Sequence, residues 1–249
     1  MPQGSEARSP SERILLVFAP APGLPSASPY STKAMILLEM AGLDFTAKVG
    51  NPTRAPKGKL PVLIEGGRTI PDSHFIRRHL ETEHGAEFDC SLGEGERAVA
   101  TALVAMAEDR LYFSGLAERW MYPENKPALI EMMRGSGVPR LLADPVTSLV
   151  TRTVRRALHG QGMGRHGRAE ALLIGRECID AFAAHLGDRP FMMGDEPTGV
   201  DASIHPILLG CRAPSFTTEL AAYVEAHANL LGYAERMRER FPITHARSD

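Results

Sequence analysis

A chain of 249 residues with 43% hydrophobic and 23% charged residues has the make-up of a folded protein, built as one large domain or two modest ones. Its 28 Lys and Arg against 30 Asp and Glu leave a formal net charge of −2 with no long block of either sign, so neither nucleic acid nor an anionic membrane is an expected partner. Cys90, Cys178 and Cys211 show no CxxC or CxxH spacing, which argues against a disulfide framework and a structural zinc site and favours a reducing, cytoplasmic setting.

Residues 1–12 are polar and lack the apolar core of a signal peptide, so they read as a disordered tail, and no run approaches the ~18 apolar residues of a membrane span. Residues 14–19 form a continuous apolar run too short for a helix and predict a buried strand. After a Pro-, Gly- and Ser-rich stretch, 31–41 predicts a helix closed by Gly42. A second strand is expected over 45–49, a basic loop over 51–59, and a hairpin from 61–65 and 68–70 across Gly66-Gly67. From Ser73 a helix runs to Gly85, with Asp72 or Ser73 as its cap. Beyond Glu94 only helical patterns remain, over 98–120, 168–186 and 218–241. The boundary falls at 88–95 and leaves units of 13–87 and 96–242.

Three short motifs in the first unit carry chemistry. Lys59-Leu60-Pro61 opens the third strand; an X-Pro bond is where a cis peptide costs least, and a cis Leu60–Pro61 bond turns the Leu60 N–H and C=O outward toward the backbone of a short peptide. An ordinary strand-start proline accounts for the same residues. Asp72-Ser73 sits at a helix start, where free N–H groups and the Ser hydroxyl suit a carboxylate and the Asp suits an ammonium, the two charges of an α-amino-acid head group. A plain N-cap is the competing reading. Ser28-Pro29-Tyr30-Ser31 precedes the first helix, where a hydroxyl can donate to a thiolate and lower the thiol pKa, or simply shape a helix-entrance turn.

In this order and spacing the three motifs resemble the glutathione site of the glutathione transferases. The resemblance implies an α/β thioredoxin-like N-terminal domain that binds glutathione, followed by an all-α C-terminal domain. It implies that Ser28 contacts the glutathione sulfur and that Leu60 pairs with the cysteinyl backbone ahead of a cis Pro61. It gives Asp72 and Ser73 the γ-glutamyl end, and Lys57 or Lys59 the glycyl carboxylate. Residues 186–195 and Thr198 to Asp201 resemble the buried-helix signature of the helical domain, with Thr198 and Asp201 at capping-box spacing.

More narrowly, the chain resembles the metaxin-like and failed-axon-connections-like branch. The residues are Ser28-Pro-Tyr-Ser-Thr-Lys33, Met40-Ala-Gly-Leu43, Lys57-Gly-Lys-Leu-Pro61, Asp109-Arg-Leu-Tyr112, Arg119-Trp120, Gly160-Gln-Gly-Met-Gly-Arg-His166 and Arg236-Met-Arg238. In that branch the position of Ser31 is often Cys; Ser here removes the candidate for thiol–disulfide chemistry.

The resemblance places an electrophile between the domains, against the first long helix of the second, where Tyr112, Phe113, Arg119, Trp120 and Tyr122 fall, with Tyr30 opposite. Phe113 and Trp120 read first as core. Neither His159 with His166 nor His74 with His79 has the i, i+4 spacing of helical ligands, so no metal is assigned. The expectation is a glutathione transferase with glutathione as co-substrate, a small-molecule electrophile as partner, and a homodimer as is common in the family. The alternative is a non-catalytic glutathione-transferase-like binding or interaction protein of the metaxin-like type.

Overall fold

In the computed structural model, residues 13–243 are described; the tail expected over 1–12 lies outside them. Strand β1 (Ile14–Val17) buries Leu15 and Val17 completely. Helix α1 (Pro29–Met40) follows, starting two residues earlier than expected because Pro29 fits the first turn, where no N–H is needed. All of its residues from Ser31 to Leu38 are buried, since a helix of the C-terminal half, α8 (Gly199–Cys211), and α2 (Ser73–Glu83) pack against it. Strand β2 (Thr46–Val49) lies parallel to β1, whereas β3 (Val62–Glu65) lies antiparallel to it and forms a hairpin with β4 (Arg68–Pro71). The turn residues Gly66 and Gly67 have φ of +54° and +76°, the pair of positive values that a tight two-residue hairpin requires. The sheet order is β2-β1-β3-β4, and α2 (Ser73–Glu83) packs back onto β3 and β4.

The rest is helical. α3 (Glu94–Ala105) runs through a π-helical segment, Met106–Leu111, into α4 (Tyr112–Trp120), and its start is fixed by the Gly93 N–H donating to Glu96 Oε2 at 2.8 Å. Two helices that the sequence reading did not predict follow, α5 (Lys126–Gly135) and α6 (Ala143–Gln161). Then come α7 (Arg168–Leu186) and α8, the latter buried at every residue except Leu209. The capping box at its start is present: Asp201 accepts from the Thr198 N–H at 2.7 Å and from the Met192 N–H at 2.9 Å. The single helix expected over 218–241 is two, α9 (Glu219–Glu225) and α10 (Ala228–Arg240), broken at His227, whose ring Nδ1 lies 2.9 Å from the Tyr223 carbonyl.

The chain is therefore a thioredoxin-like α/β half followed by a helical half. One core joins them, from Leu15, Met35, Leu63 and Ile76 to Phe182, Ile204 and Tyr233. Among the described residues no helix is long and apolar enough to cross a membrane.

Candidate functional site

β1 ends at Val17, β3 begins at Val62, and β4 ends at Pro71. The registers pair Leu16 with Val62 and Val62 with Pro71. These three termini share one end of the sheet. From there the chain leads to Ser28 after β1, enters β3 through Leu60-Pro61, and leaves β4 into Asp72-Ser73. Strand register therefore puts the entry to Leu60-Pro61 and the exit to Asp72-Ser73 at the end of the sheet from which the loop to Ser28 departs.

The loop after β1 folds back on itself. Ala21 and Leu24 form a bridge, the Ala27 N–H donates to the Ala19 carbonyl at 2.8 Å, and the Ser26 hydroxyl donates to the Phe18 carbonyl at 2.9 Å. Buried Ser31 accepts from the Phe18 N–H at 3.4 Å and ties α1 to the same strand end. Ser28, half-buried, is the N-cap residue of α1, but its side chain makes no capping bond.

The Leu60–Pro61 peptide bond is cis. Leu60 stands outside both ladder registers, and the Pro61 carbonyl accepts from the Asp72 N–H at 3.0 Å, which brings the Leu60-Pro61 motif against Asp72-Ser73. Asp72 has φ +84° and ψ 130°, a backbone region that L-residues seldom adopt, and caps α2 by accepting from the His74 N–H at 3.0 Å. Its other oxygen lies 3.5 Å from the Lys59 ammonium and 3.8 Å from that of Lys57. Burial pushes the Asp72 carboxyl up, but the His74 N–H and the two lysines outweigh it and hold the pKa below the usual carboxylate value. Ser73, the first residue of α2, is 3% exposed.

Past Ser28, α1 engages the helical half. The Tyr30 hydroxyl donates to the Glu108 carbonyl at 3.2 Å, its ring meets that of Tyr112 edge-on at 4.9 Å, and the buried Lys33 ammonium is 2.7 Å from Glu108 Oε1. Burial, then the neighbouring Tyr112 and Glu108, drives the Tyr30 hydroxyl pKa far above its usual value, so it is a protonated donor rather than a base. The Lys33–Glu108 pair was not foreseen; a lysine directly before the apolar run Ala34 to Leu38 was the signal for it.

The structure brings Tyr30 and Tyr112 together but sets Trp120 apart. Trp120 is 8% exposed and packs with Leu24, Leu129, Ala213 and Phe216. Arg119 beside it is buried, donating from Nε to the Gly115 carbonyl at 3.3 Å, and burial lowers its pKa. A cleft of 780 Å³ opens between the loop that leads to Ser28 and α5, lined by Pro20, Pro22, Pro127, Met132 and Phe216 among others. Its floor is a helix that the sequence reading did not predict, so this cleft was not anticipated.

The description "Glutathione S-transferase N-terminal domain" matches residues 29–125, and "Glutathione S-transferase, C-terminal domain" matches residues 175–237. Isoprene-epoxide--glutathione S-transferase from Rhodococcus sp. (strain AD45) is 30% identical, over 91% of this chain and 98% of its own. Failed axon connections from Drosophila melanogaster is 29% identical over 92% of this chain, and the match spans 58% of that longer protein. Metaxin-1 from Macaca fascicularis is 26% identical over 85% of this chain and 69% of its own. Among solved structures, glutathione transferase GSTFuA3 from Phanerochaete chrysosporium superposes with a TM-score of 0.66 at 15% identity, covering 93% of this chain and 98% of that one, a likeness of fold. With both halves matched by family models and a relative 30% identical along nearly the whole of both proteins, the chain belongs to the glutathione S-transferase family.

Proposed function

We propose that this chain is a glutathione transferase, with 13–87 as its glutathione-binding domain and 96–242 as its helical one. The observation that supports the reading is that β1, β3 and β4 end together at the sheet end from which the chain leads to Ser28, Leu60-Pro61 and Asp72-Ser73. In this reading the γ-glutamyl ammonium pairs with Asp72, displacing the lysines that neutralise it in the free protein and releasing Lys57 or Lys59 for the glycyl carboxylate. The γ-glutamyl carboxylate takes the Ser73 hydroxyl and the open N–H groups of α2. The cysteinyl amide pairs with the Leu60 N–H and C=O, which delivers the sulfur to Ser28. There a donated hydrogen bond and the positive end of α1 favour the thiolate. Ser28 stays a donor and forms no covalent bond to the substrate.

The similarity to an isoprene-epoxide--glutathione S-transferase supports a small apolar epoxide as the electrophile. The thiolate would form an S–C bond as a ring C–O bond breaks, and the alkoxide would take a proton from water. The 780 Å³ cleft lined by Pro20 and Pro22 of the loop that leads to Ser28, and by Met132 and Phe216, is the place for it. Cys90, Cys178 and Cys211 are all free thiols, in keeping with a reducing cytoplasm. Ser28→Ala should keep glutathione affinity and lose at least about tenfold in kcat/KM toward an epoxide, the factor for one pKa unit on the thiol. Unchanged conjugation would remove Ser28 from the mechanism.

A second reading, a non-catalytic glutathione-transferase-like interaction protein, is favoured by the similarity to Failed axon connections and Metaxin-1 over most of this chain. Calorimetry with glutathione separates the two. Saturable binding weakened by Ser73→Ala supports the enzyme, and no binding at millimolar glutathione supports the interaction protein.

A further inference from the structure

At the other end of the sheet, β3 closes on Glu65, a carboxylate only 6% exposed. Its Oε2 is 2.8 Å from Nε2 of His79 and 2.9 Å from Nε2 of His84, while its Oε1 pairs with the Arg13 guanidinium. A five-residue step does not hold two side chains on one helix face. Here it need not, because α2 stops at Glu83. Gly85 at φ +66° turns the chain, the His84 and Ala86 N–H groups both donate to the Leu80 carbonyl, and the His84 ring swings back to meet that of His79 edge-on at 5.6 Å.

The three ligand atoms all lie within 4.8 Å of one another. Two imidazoles and one carboxylate are the donor set of a zinc-type cation, held at about 2.0–2.2 Å with water completing the shell. Two such ligands on a tetrahedral ion stand ~3.4 Å apart by that geometry. The 2.8 and 2.9 Å separations therefore need to open by about half an ångström. The His84 side chain, 21% exposed against 7% for His79, has room to make that movement and marks the side where water would enter. Arg13 holds Oε1 and so orients Oε2 toward both rings, the supporting role that an outer partner has for a ligating carboxylate. Its charge also opposes the ion, which makes the site weaker than one with no cation beside it.

We propose that Glu65, His79 and His84 form a binding site for a divalent zinc-type ion, with a water on the His84 side. Such an ion would pin the end of α2 to the end of β3. It takes no part in conjugation, since Glu65 is at the opposite end of β3 from Val62 and His84 at the opposite end of α2 from Ser73.

The test is calorimetry of zinc chloride into the full chain stripped with chelator, with cobalt(II) absorption as a second readout. One zinc per chain is expected at micromolar concentration, with a rise in Tm that magnesium does not reproduce and a tetrahedral cobalt(II) visible band. His84→Ala takes one partner from buried Glu65 and should lower the Tm of the chelator-treated protein somewhat, yet still fold, weaken zinc at least about tenfold, lose the cobalt band and lose the rise in Tm on adding zinc. His166→Ala, at an exposed histidine elsewhere, should change neither. No zinc binding by the wild type, or binding and a cobalt band that persist in His84→Ala, would overturn the site.

Discussion

Asp72 stands at φ +84°, caps α2 through the bond from the His74 N–H, and carries the carboxylate assigned above to the γ-glutamyl ammonium. Three substitutions separate these roles. Asn keeps a capping oxygen and tolerates positive φ, so it loses only pairs with Lys59 and Lys57, whose side chains are 63% and 38% exposed, and each of these is worth at most about 1 kcal/mol. Ala loses the cap, about 1 kcal/mol, and keeps the backbone strain. Gly gives up only a few tenths at the cap and about 0.5–1 kcal/mol of chain entropy, but releases strain on the order of 1–3 kcal/mol. Asp72→Gly should therefore be more stable than Asp72→Ala by about 1–3 kcal/mol, measured as a shift in urea midpoint at constant m. A charged hydrogen bond is worth about 1.5–3 kcal/mol, so Asp72→Asn should weaken glutathione by roughly 10–100-fold while unfolding near the wild-type midpoint. Because the folded pKa of Asp72 is depressed, its charge-dependent stabilisation is complete above the unfolded value near ~3.9 and is lost as pH falls through the folded one. Any wild-type advantage over Asp72→Asn must close in that acid range. Alanine at least as stable as glycine would refute the strain argument, and unaltered glutathione affinity in the asparagine variant would refute the ammonium site.

Glu108→Gln leaves the Lys33 ammonium, with a side chain 4% exposed, without a charged partner and should cost about 2–4 kcal/mol in urea unfolding. Lys33→Met should cost less, because Glu108 is 20% exposed and can turn to water. Asp201→Ala strands the Met192 and Thr198 N–H groups in a fully buried site and should cost about 3–5 kcal/mol, against about 1 kcal/mol for Thr198→Ala, which removes one donor only. Burial holds His205 down at about 3, so below pH ~6.5 the unfolded chain takes up a proton that the folded one does not. Stability should fall by ~1.4 kcal/mol per pH unit there, about 2 kcal/mol between pH 6.5 and 5, and His205→Phe should flatten that limb when midpoints are compared across pH.

How much of this was legible follows from the range of each interaction. β1 and the β3–β4 hairpin were readable because an apolar run and Gly66-Gly67 are local signals. The cis Leu60–Pro61 bond and the Asp72 cap were readable as options because each is confined to two or three residues. α5 and α6 were missed although Val150, Val154 and Leu158 recur at helical spacing along α6; both bury little, α5 only Leu129 and α6 only Ala143, Thr147 and Leu158. The break at His227 carries neither Gly nor Pro. Lys33 and Glu108 are 75 residues apart, and His79 finds Glu65 on a strand 14 residues earlier, separations at which spacing has no predictive content.

The long-range pairs also decide how the local motifs act. Ser28 is the cap of a helix whose next turn is held by Tyr30 and Lys33, and both of these end on one residue, Glu108, in the π-helical segment of the opposite half. A π turn adds a residue to the helical repeat and changes which side chains face the seam, so Glu108 can offer its carbonyl and its carboxylate to α1 together. The sheet end that gathers Leu60 and Asp72 belongs wholly to the first half, and it fixes where a peptide would lie. The placement of Ser28, the hydroxyl proposed above to meet the sulfur, is set in addition by the second half. In the proposed reading a sub-ångström shift of α1 would leave the peptide cradle intact while moving the thiol partner, which would make the helical half part of the site and not merely a platform beneath it.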